Sequence, residues 1–151
     1  KTAAFGLPII QKTNIELHSP QTLILCPTRE LCLQIAGDLS DFSKYVDDIK
    51  ILPVYGGSSI ESQIRALKRG VHVIVATPGR LIDLINRKTV SLENVHTVVL
   101  DEADEMLHMG FTESIDEILS HGLHAFLTQF LDKVSDLGAG ISRDFLVAVS
   151  D

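Results

Sequence analysis

The sequence predicts an α/β protein built on an open, mainly parallel sheet with helices on both faces. Three observations carry that expectation. Short apolar runs recur along the chain, each followed by a segment whose apolar residues return at three- and four-residue steps. Strands alternating with helices in this way make βαβ units, hence a parallel sheet with right-handed crossovers. The aromatic share is 5% with no Trp, which points to the aliphatic core of a sheet buried on both faces. Polar residues gather where the apolar runs end, and open α/β sheets bind ligands outside the carboxyl ends of their strands.

In chain order, residues 1–5 open in helical composition and Leu7, Ile9 and Ile10 follow; Pro8 removes a helical hydrogen bond and is expected to kink or weaken this segment. His18-Ser19-Pro20 is a loop. Residues 22–26 read as a buried strand stopped by Pro27, and Leu31, Ile35, Leu39, Phe42 and Val46 then mark one face of an amphipathic helix. Residues 49–55 form a second strand, ended by Gly56-Gly57. Ile60, Ile64 and Leu67 mark a short helix with Gly70 as its stop. Residues 71–76 are a third strand running into Thr77-Pro78-Gly79-Arg80, and Leu81, Leu84 and Ile85 put a helix after it. The fourth strand ends in Asp101-Glu102-Ala103-Asp104, and Phe111, Ile115, Ile118 and Leu119 suggest the helix that follows.

The whole-chain quantities narrow the function classes. A chain of 151 residues is one domain, large enough for its own core. Its net charge of −7 argues against a whole-surface nucleic-acid binder and leaves room for a local phosphate-binding face. Cys26 and Cys32 are too few for a disulfide framework, fit no zinc spacing and fall on apolar faces, so reduced core thiols in a cytosolic protein are expected. No apolar run approaches the ~20 residues of a membrane span and no signal peptide is evident. The chain begins at Lys1 without an initiator Met and reads as a piece of something longer.

The fourth strand organises the rest. Val98-Val99-Leu100 delivers three carboxylates to the place where a ligand sits. Carboxylates this close repel one another unless a cation offsets them, and Mg²⁺ suits the task because it takes one or two carboxylates together with phosphate oxygens. A solvated acidic turn is the plain alternative. The other strand ends favour the phosphate reading. Pro27-Thr28-Arg29-Glu30-Leu31 and Thr77-Pro78-Gly79-Arg80 each set a Thr and an Arg at a strand-to-helix junction, where helix N-termini bind phosphates. A lone Arg there is ordinarily a surface charge; two at equivalent ends of one sheet make a phosphate-tracking surface. His121 and His124 lie one helical turn apart with no third metal ligand in sight, and His72, His96 and His108 read as ordinary strand or loop residues.

Pro27-Thr28-Arg29-Glu30-Leu31, Gly56-Gly57, Thr77-Pro78-Gly79-Arg80 and Asp101-Glu102-Ala103-Asp104, in this order and spacing, resemble the first ATPase domain of the DEAD-box RNA helicases over roughly residues 1–120. The resemblance implies a RecA-like fold of the P-loop NTPase type, with ATP and Mg²⁺ as cofactors and the RNA backbone as partner. It makes Lys1 and Thr2 the end of a phosphate-binding loop, the Lys on the β- and γ-phosphates and the Thr hydroxyl on Mg²⁺. Asp101 would hold Mg²⁺ through its water shell, Glu102 would orient and deprotonate the attacking water, and Asp104 would couple the site to the neighbouring strand end. Thr28, Arg29, Gly57, Thr77, Gly79 and Arg80 match positions that grip the RNA sugar-phosphate backbone, contacts that give affinity without reading sequence.

After residue 120 the resemblance stops. The family's Ser-Ala-Thr at the end of its fifth strand does not appear. Residues 121–151 carry instead a helical stripe of Leu123, Phe126, Leu127, Phe130, Leu131, Val134 and Leu137, a Gly138-Ala139-Gly140 break and a possible strand over 145–149, ending in Ser150-Asp151. A divergent insertion, a splice or reading-frame change and an unrelated segment are the three readings of this tail. The loop glycines, the adenine-recognising segment and the second RecA-like domain, with its arginine finger, are not in the chain. The parent is therefore read as an ATP-dependent RNA helicase that parts short duplexes, and the 151 residues alone as an inactive piece of it. The rivals are a DNA-directed helicase of the same superfamily and a non-catalytic RNA-binding fragment.

Overall fold

The computed structural model describes residues 1–46, 48–138 and 145–149. Five strands, β1 (Thr22–Leu25), β2 (Ile51–Val54), β3 (Val73–Ala76), β4 (Thr97–Asp101) and β5 (Phe145–Val149), form one sheet in the order β2-β3-β1-β4-β5. The first three joins are parallel; β5 runs antiparallel to β4, with Thr97 opposite Val149. The expected open, mainly parallel sheet is present. Its interior strands are short and buried at every position, as both-face burial requires. β2 is an edge strand and so tolerates Pro53, which has no N–H to give.

Helices cover both faces. On one, α1 (Thr2–Lys12) and α2 (Arg29–Phe42) pack over Ile24, Val73, Val75 and Val99. On the other, α3 (Ile60–Arg69), α4 (Pro78–Asn86), α5 (Ala103–His108), α6 (Thr112–Leu119) and α7 (His124–Gly138) close over Leu23, Leu25, Ile74, Val98 and Leu100. Successive strand residues therefore serve opposite cores, as a period of two dictates.

Pro8 sits inside the continuous helix α1 with its ring exposed, and Phe5, Ile9 and Ile10 anchor the opposite face. Other elements depart from the sequence expectation. Gly6 lets α1 approach α2 closely: a Cβ there would lie 2.8 Å from Leu39 Cδ2. α2 ends at Phe42, so Val46 lies beyond it and is exposed. The single helix expected around Phe111 is two, α5 and α6, with Phe111 capping the second. In α7, Phe126 and Phe130 are buried while Leu131 faces solvent. Its Gln129 and Lys133 donate to the Val149 and Val147 carbonyls of β5. Of the expected Gly138-Ala139-Gly140 break, Gly138 is the last residue of α7, while Ala139-Gly140 and the ending Ser150-Asp151 lie outside the described residues.

Candidate nucleotide site and its flanking strand ends

Strand register brings the motifs to one edge. Leu25 pairs with both Leu100 and Ala76, and Ala76 with Val54, so Asp101, Cys26, Thr77 and Tyr55 stand level one residue further on. The chain leaves β1 through α2 on one face and leaves β4 through α5 and α6 on the other. Connections departing to opposite sides open a crevice between the two strands. A cavity of about 430 Å³ occupies it, lined by Lys1, Thr2, Gln34, Asp38, Asp101 and Glu102 among others.

The acids at the end of β4 are held in unlike ways. Asp101 is fully buried. Its Oδ1 accepts from the Glu102 amide at 3.1 Å and pairs with Lys1 Nζ at 3.1 Å. Its Oδ2 is buried and finds no hydrogen-bond partner among the described residues. Burial raises the Asp101 carboxyl above its usual range against the opposing pull of Lys1. Glu102 is partly exposed, pairs with Lys1 Nζ through Oε1, and takes the left-handed backbone conformation at φ 54°, ψ 49°. That conformation is costly for a residue with a Cβ, and such outliers cluster at functional sites. Burial works to lower the Lys1 ammonium, but its bonds to Glu102 and Asp101 outweigh that and raise it. Thr2 shares the cavity. Asp104 does not: it lies exposed in α5, where its Oδ1 accepts from the Glu105 amide at 3.0 Å.

At the other strand ends several side chains bond within the protein. Thr28 caps α2, its hydroxyl accepting from the Leu31 amide at 3.2 Å. Arg29 lies over the Tyr55 ring, 5.0 Å from its centroid. Gly57 has φ +81°, a conformation that suits only glycine, and a Cβ there would sit 3.5 Å from Arg29 Nη1. Thr77 caps α4 through its backbone with Pro78 in the first turn, and Gly79 has open space where a Cβ would be. Arg80 donates to the Ser58 carbonyl and to Gln63 Oε1.

With this edge described, comparison with known proteins decides the family. The sequence profile of the DEAD/DEAH box helicase family matches residues 1–131. The chain belongs to that family. Over 121 residues it is 59% identical to a DEAD-box ATP-dependent RNA helicase, CshA, of Geobacillus kaustophilus, covering 80% of this chain and 26% of that protein. Over 120 residues it is 54% identical to the ATP-dependent RNA helicase DeaD of Buchnera aphidicola, covering 80% of this chain and 20% of that protein. The DEAD-box splicing factor Prp28 of yeast superposes with a TM-score of 0.74 at 36% identity over 80% of this chain and 30% of its own. A DEAD box protein of Methanococcus jannaschii gives 0.74 at 44% identity, with 80% and 32% covered. The chain thus spans about a quarter or less of these curated relatives.

The edge divides into an acid-tipped half at β4 and a half over β1, β3 and β2 that carries Arg29 and Arg80. The structure brings Lys1, Thr2, Asp101 and Glu102 to one cavity and sets Thr28, Arg29, Gly57 and the Thr77–Arg80 turn beside it. Reading the sequence missed Gln34 and Asp38 in the cavity wall, and Gln63 and Tyr55 behind the arginines. Gln63 left a signal: it is a polar residue within the apolar face marked by Ile60, Ile64 and Leu67. Nothing in the sequence signals the backbone of Glu102. No helix among the described residues is long and apolar enough to cross a membrane.

Proposed function

We propose that this chain supplies the ATP-hydrolysing site and one side of the RNA-backbone grip of an ATP-dependent RNA helicase that parts short duplexes. The observation that supports this most is the pair Asp101 and Glu102 facing Lys1 across a cavity at the crevice between β1 and β4. The buried, unpartnered Oδ2 of Asp101 fits a hard cation, and Thr2 offers a hydroxyl in the same cavity. Asp101 with Thr2 would hold Mg²⁺, which when bound neutralises charge on the transferred phosphoryl group.

The chain's own residues account for the remaining steps. Lys1 exchanges its two carboxylate partners for the β- and γ-phosphate oxygens. That exchange frees the Glu102 carboxylate to orient the attacking water and accept its proton. Asp104, exposed in α5, would bond a neighbouring strand end when the nucleotide arrives. Thr28, Arg29, Gly57, Thr77, Gly79 and Arg80 offer helix N-termini and cationic donors to successive phosphates, so binding is sequence-independent. A second RecA-like domain, carried by the longer protein, completes both sites with an arginine finger and the other side of the RNA grip. Two cysteines that are both free thiols fit a cytosolic setting.

The test is phosphate release from ATP and Mg²⁺ by the intact protein carrying this sequence, with single-stranded RNA or DNA of matched sequence. Turnover stimulated by RNA alone is expected. Equal stimulation by DNA would favour a DNA-directed helicase, and RNA binding without turnover a non-catalytic RNA-binding role.

A further inference from the structure

α3 turns a glutamine into the protein where an aliphatic residue would serve. Gln63 is the one fully buried residue of that helix, at 4% exposure, while Ile60, Ile64 and Leu67 pack at the margin of the core. Burying an amide costs free energy unless both its ends are paired. Both are. Gln63 Nε2 donates to the Tyr55 carbonyl at 3.2 Å, and Oε1 accepts from Arg80 Nη1 at 3.0 Å. Tyr55 follows β2 and Arg80 lies in the first turn of α4 after β3, so one side chain ties two neighbouring strand ends. Arg80 closes the circuit by donating from Nη1 and Nη2 to the Ser58 carbonyl at 3.1 and 3.2 Å.

The donor inventory of Arg80 gives this circuit a purpose. A guanidinium carries five N–H groups, and these contacts leave Nε–H and one Nη2–H unspent. The group is planar and rigid, so fixing one edge fixes where the other points. The same circuit sets the turn that carries Gly57, and that turn lies against Arg29, whose guanidinium stacks on Tyr55. Among the described residues Gln63 is the member of this network with no charge and no access to a ligand of its own.

We propose that Gln63 is a positioning residue for RNA-backbone binding: it holds Arg80 so that its free donors face a phosphate, and it holds the Gly57 turn against Arg29. This rests on the RNA reading given above. Replacing Gln63 by an apolar residue of similar size should therefore remove the contribution of Arg80 while removing no charge. The probe is a labelled oligouridylate, titrated at several salt concentrations with Mg²⁺ and a non-hydrolysable ATP analogue, against the intact protein carrying this sequence.

Gln63→Met should weaken binding roughly tenfold and lower the slope of log affinity against log salt by about one, as loss of a phosphate contact does. A residue that merely stabilised the fold would change affinity without changing that slope. The double variant Gln63→Met/Arg80→Ala should bind no worse than Arg80→Ala alone, since both remove the same contact. Arg80→Lys keeps the charge but lacks the fork needed to bridge Ser58 and Gln63, so it should lose nearly as much as Arg80→Ala. That variant tests the idea even if Gln63→Met proves unstable. Wild-type affinity and slope in Gln63→Met or in Arg80→Lys would overturn the inference alone, provided Arg29→Ala still weakens binding. No oligouridylate binding by the unaltered protein would overturn the RNA reading, and this inference with it.

Discussion

The end of β4 and the ends of β1, β2 and β3 lie side by side on one sheet edge, yet they are built on opposite principles. At β4 the buried carboxylate Asp101 leaves one oxygen unpartnered, the next residue holds a left-handed backbone, and a single lysine serves two acids. At the other ends the side chains are held by the protein itself: Thr28 caps its helix, Arg80 and Gln63 bond one another and two backbone carbonyls, and Arg29 rests on Tyr55. The difference fits the roles proposed for the two halves, nucleotide binding at β4 and a phosphate-backbone grip at the other ends. A site that must take and release a small charged ligand gains from groups whose best partner is that ligand. A surface that grips a regular phosphate backbone gains from donors fixed in advance, because ordering them on binding would weaken the grip.

The largest expected effect lies on the strained side. Glu102→Gln keeps size and hydrogen bonding but cannot accept a proton. ATP turnover should fall by ~10²–10⁴, the usual worth of general-base assistance, while ATP affinity stays within a few-fold. Measuring turnover and nucleotide affinity on the same preparation checks this. An affinity loss as large as the rate loss would show that Glu102 holds the site together instead of acting on water, and the contrast between the two halves would weaken.

The second effect is on stability and comes from Asp101. Burial holds its carboxyl above the usual range despite Lys1. A carboxyl raised in the folded state favours folding fully at pH below its ordinary value, and that advantage is lost as pH climbs through the raised value. At neutral pH the ionised Asp101 therefore weighs against the fold. Asp101→Asn should raise stability at pH 7 and flatten the decline between the ordinary carboxylate range and the raised value. Lys1 keeps Glu102 as its partner in the variant. Denaturant midpoints from acid to neutral pH, with and without Mg²⁺, are the measurement. Mg²⁺ should stabilise the unaltered chain and not the variant. A less stable Asp101→Asn would mean that the Lys1 pair outweighs burial.

How far this contrast was legible in the sequence follows from the kind of physics on each side. The strands, their order of motifs and the acid tip all lie in apolar periodicity and local residue type, which a linear reading captures. Thr28, Arg29 and Arg80 are visible as polar residues at strand ends, and Gly57 as a strand stop, for the same reason. Invisible were relations across the sheet order β2-β3-β1-β4, in which neighbours in space are far apart in sequence. Gln63 reaching Arg80 belongs to that class, whereas Lys1 meets Asp101 and Glu102 in a grouping that only the family resemblance supplies. Pro8 lies within the continuous α1, where Phe5 and Ile9 anchor the helix against the local cost of the proline. The left-handed Glu102 could not be read at all, since Glu has no propensity for that conformation and only the surrounding fold imposes it.

That backbone supplies the smallest and cleanest test. Glu102 sits at φ 54°, where a Cβ crowds the following carbonyl and glycine meets no such penalty. Replacing Glu102 by Ala and by Gly removes the carboxylate and the Lys1 pair equally, so the difference between the two variants isolates the backbone. At an ordinary helical position Ala would be the more stable by roughly 0.5–1 kcal/mol. Here the order should reverse, with Glu102→Gly more stable than Glu102→Ala by about 1 kcal/mol, a shift of a few degrees in thermal midpoint. Both variants should lack ATP turnover, which separates the conformational cost from the chemistry. If Ala proves equal to or more stable than Gly, the left-handed turn is not held in solution. The β4 end would then owe its character to charge alone, and the strain would drop out of the contrast with the three quieter strand ends.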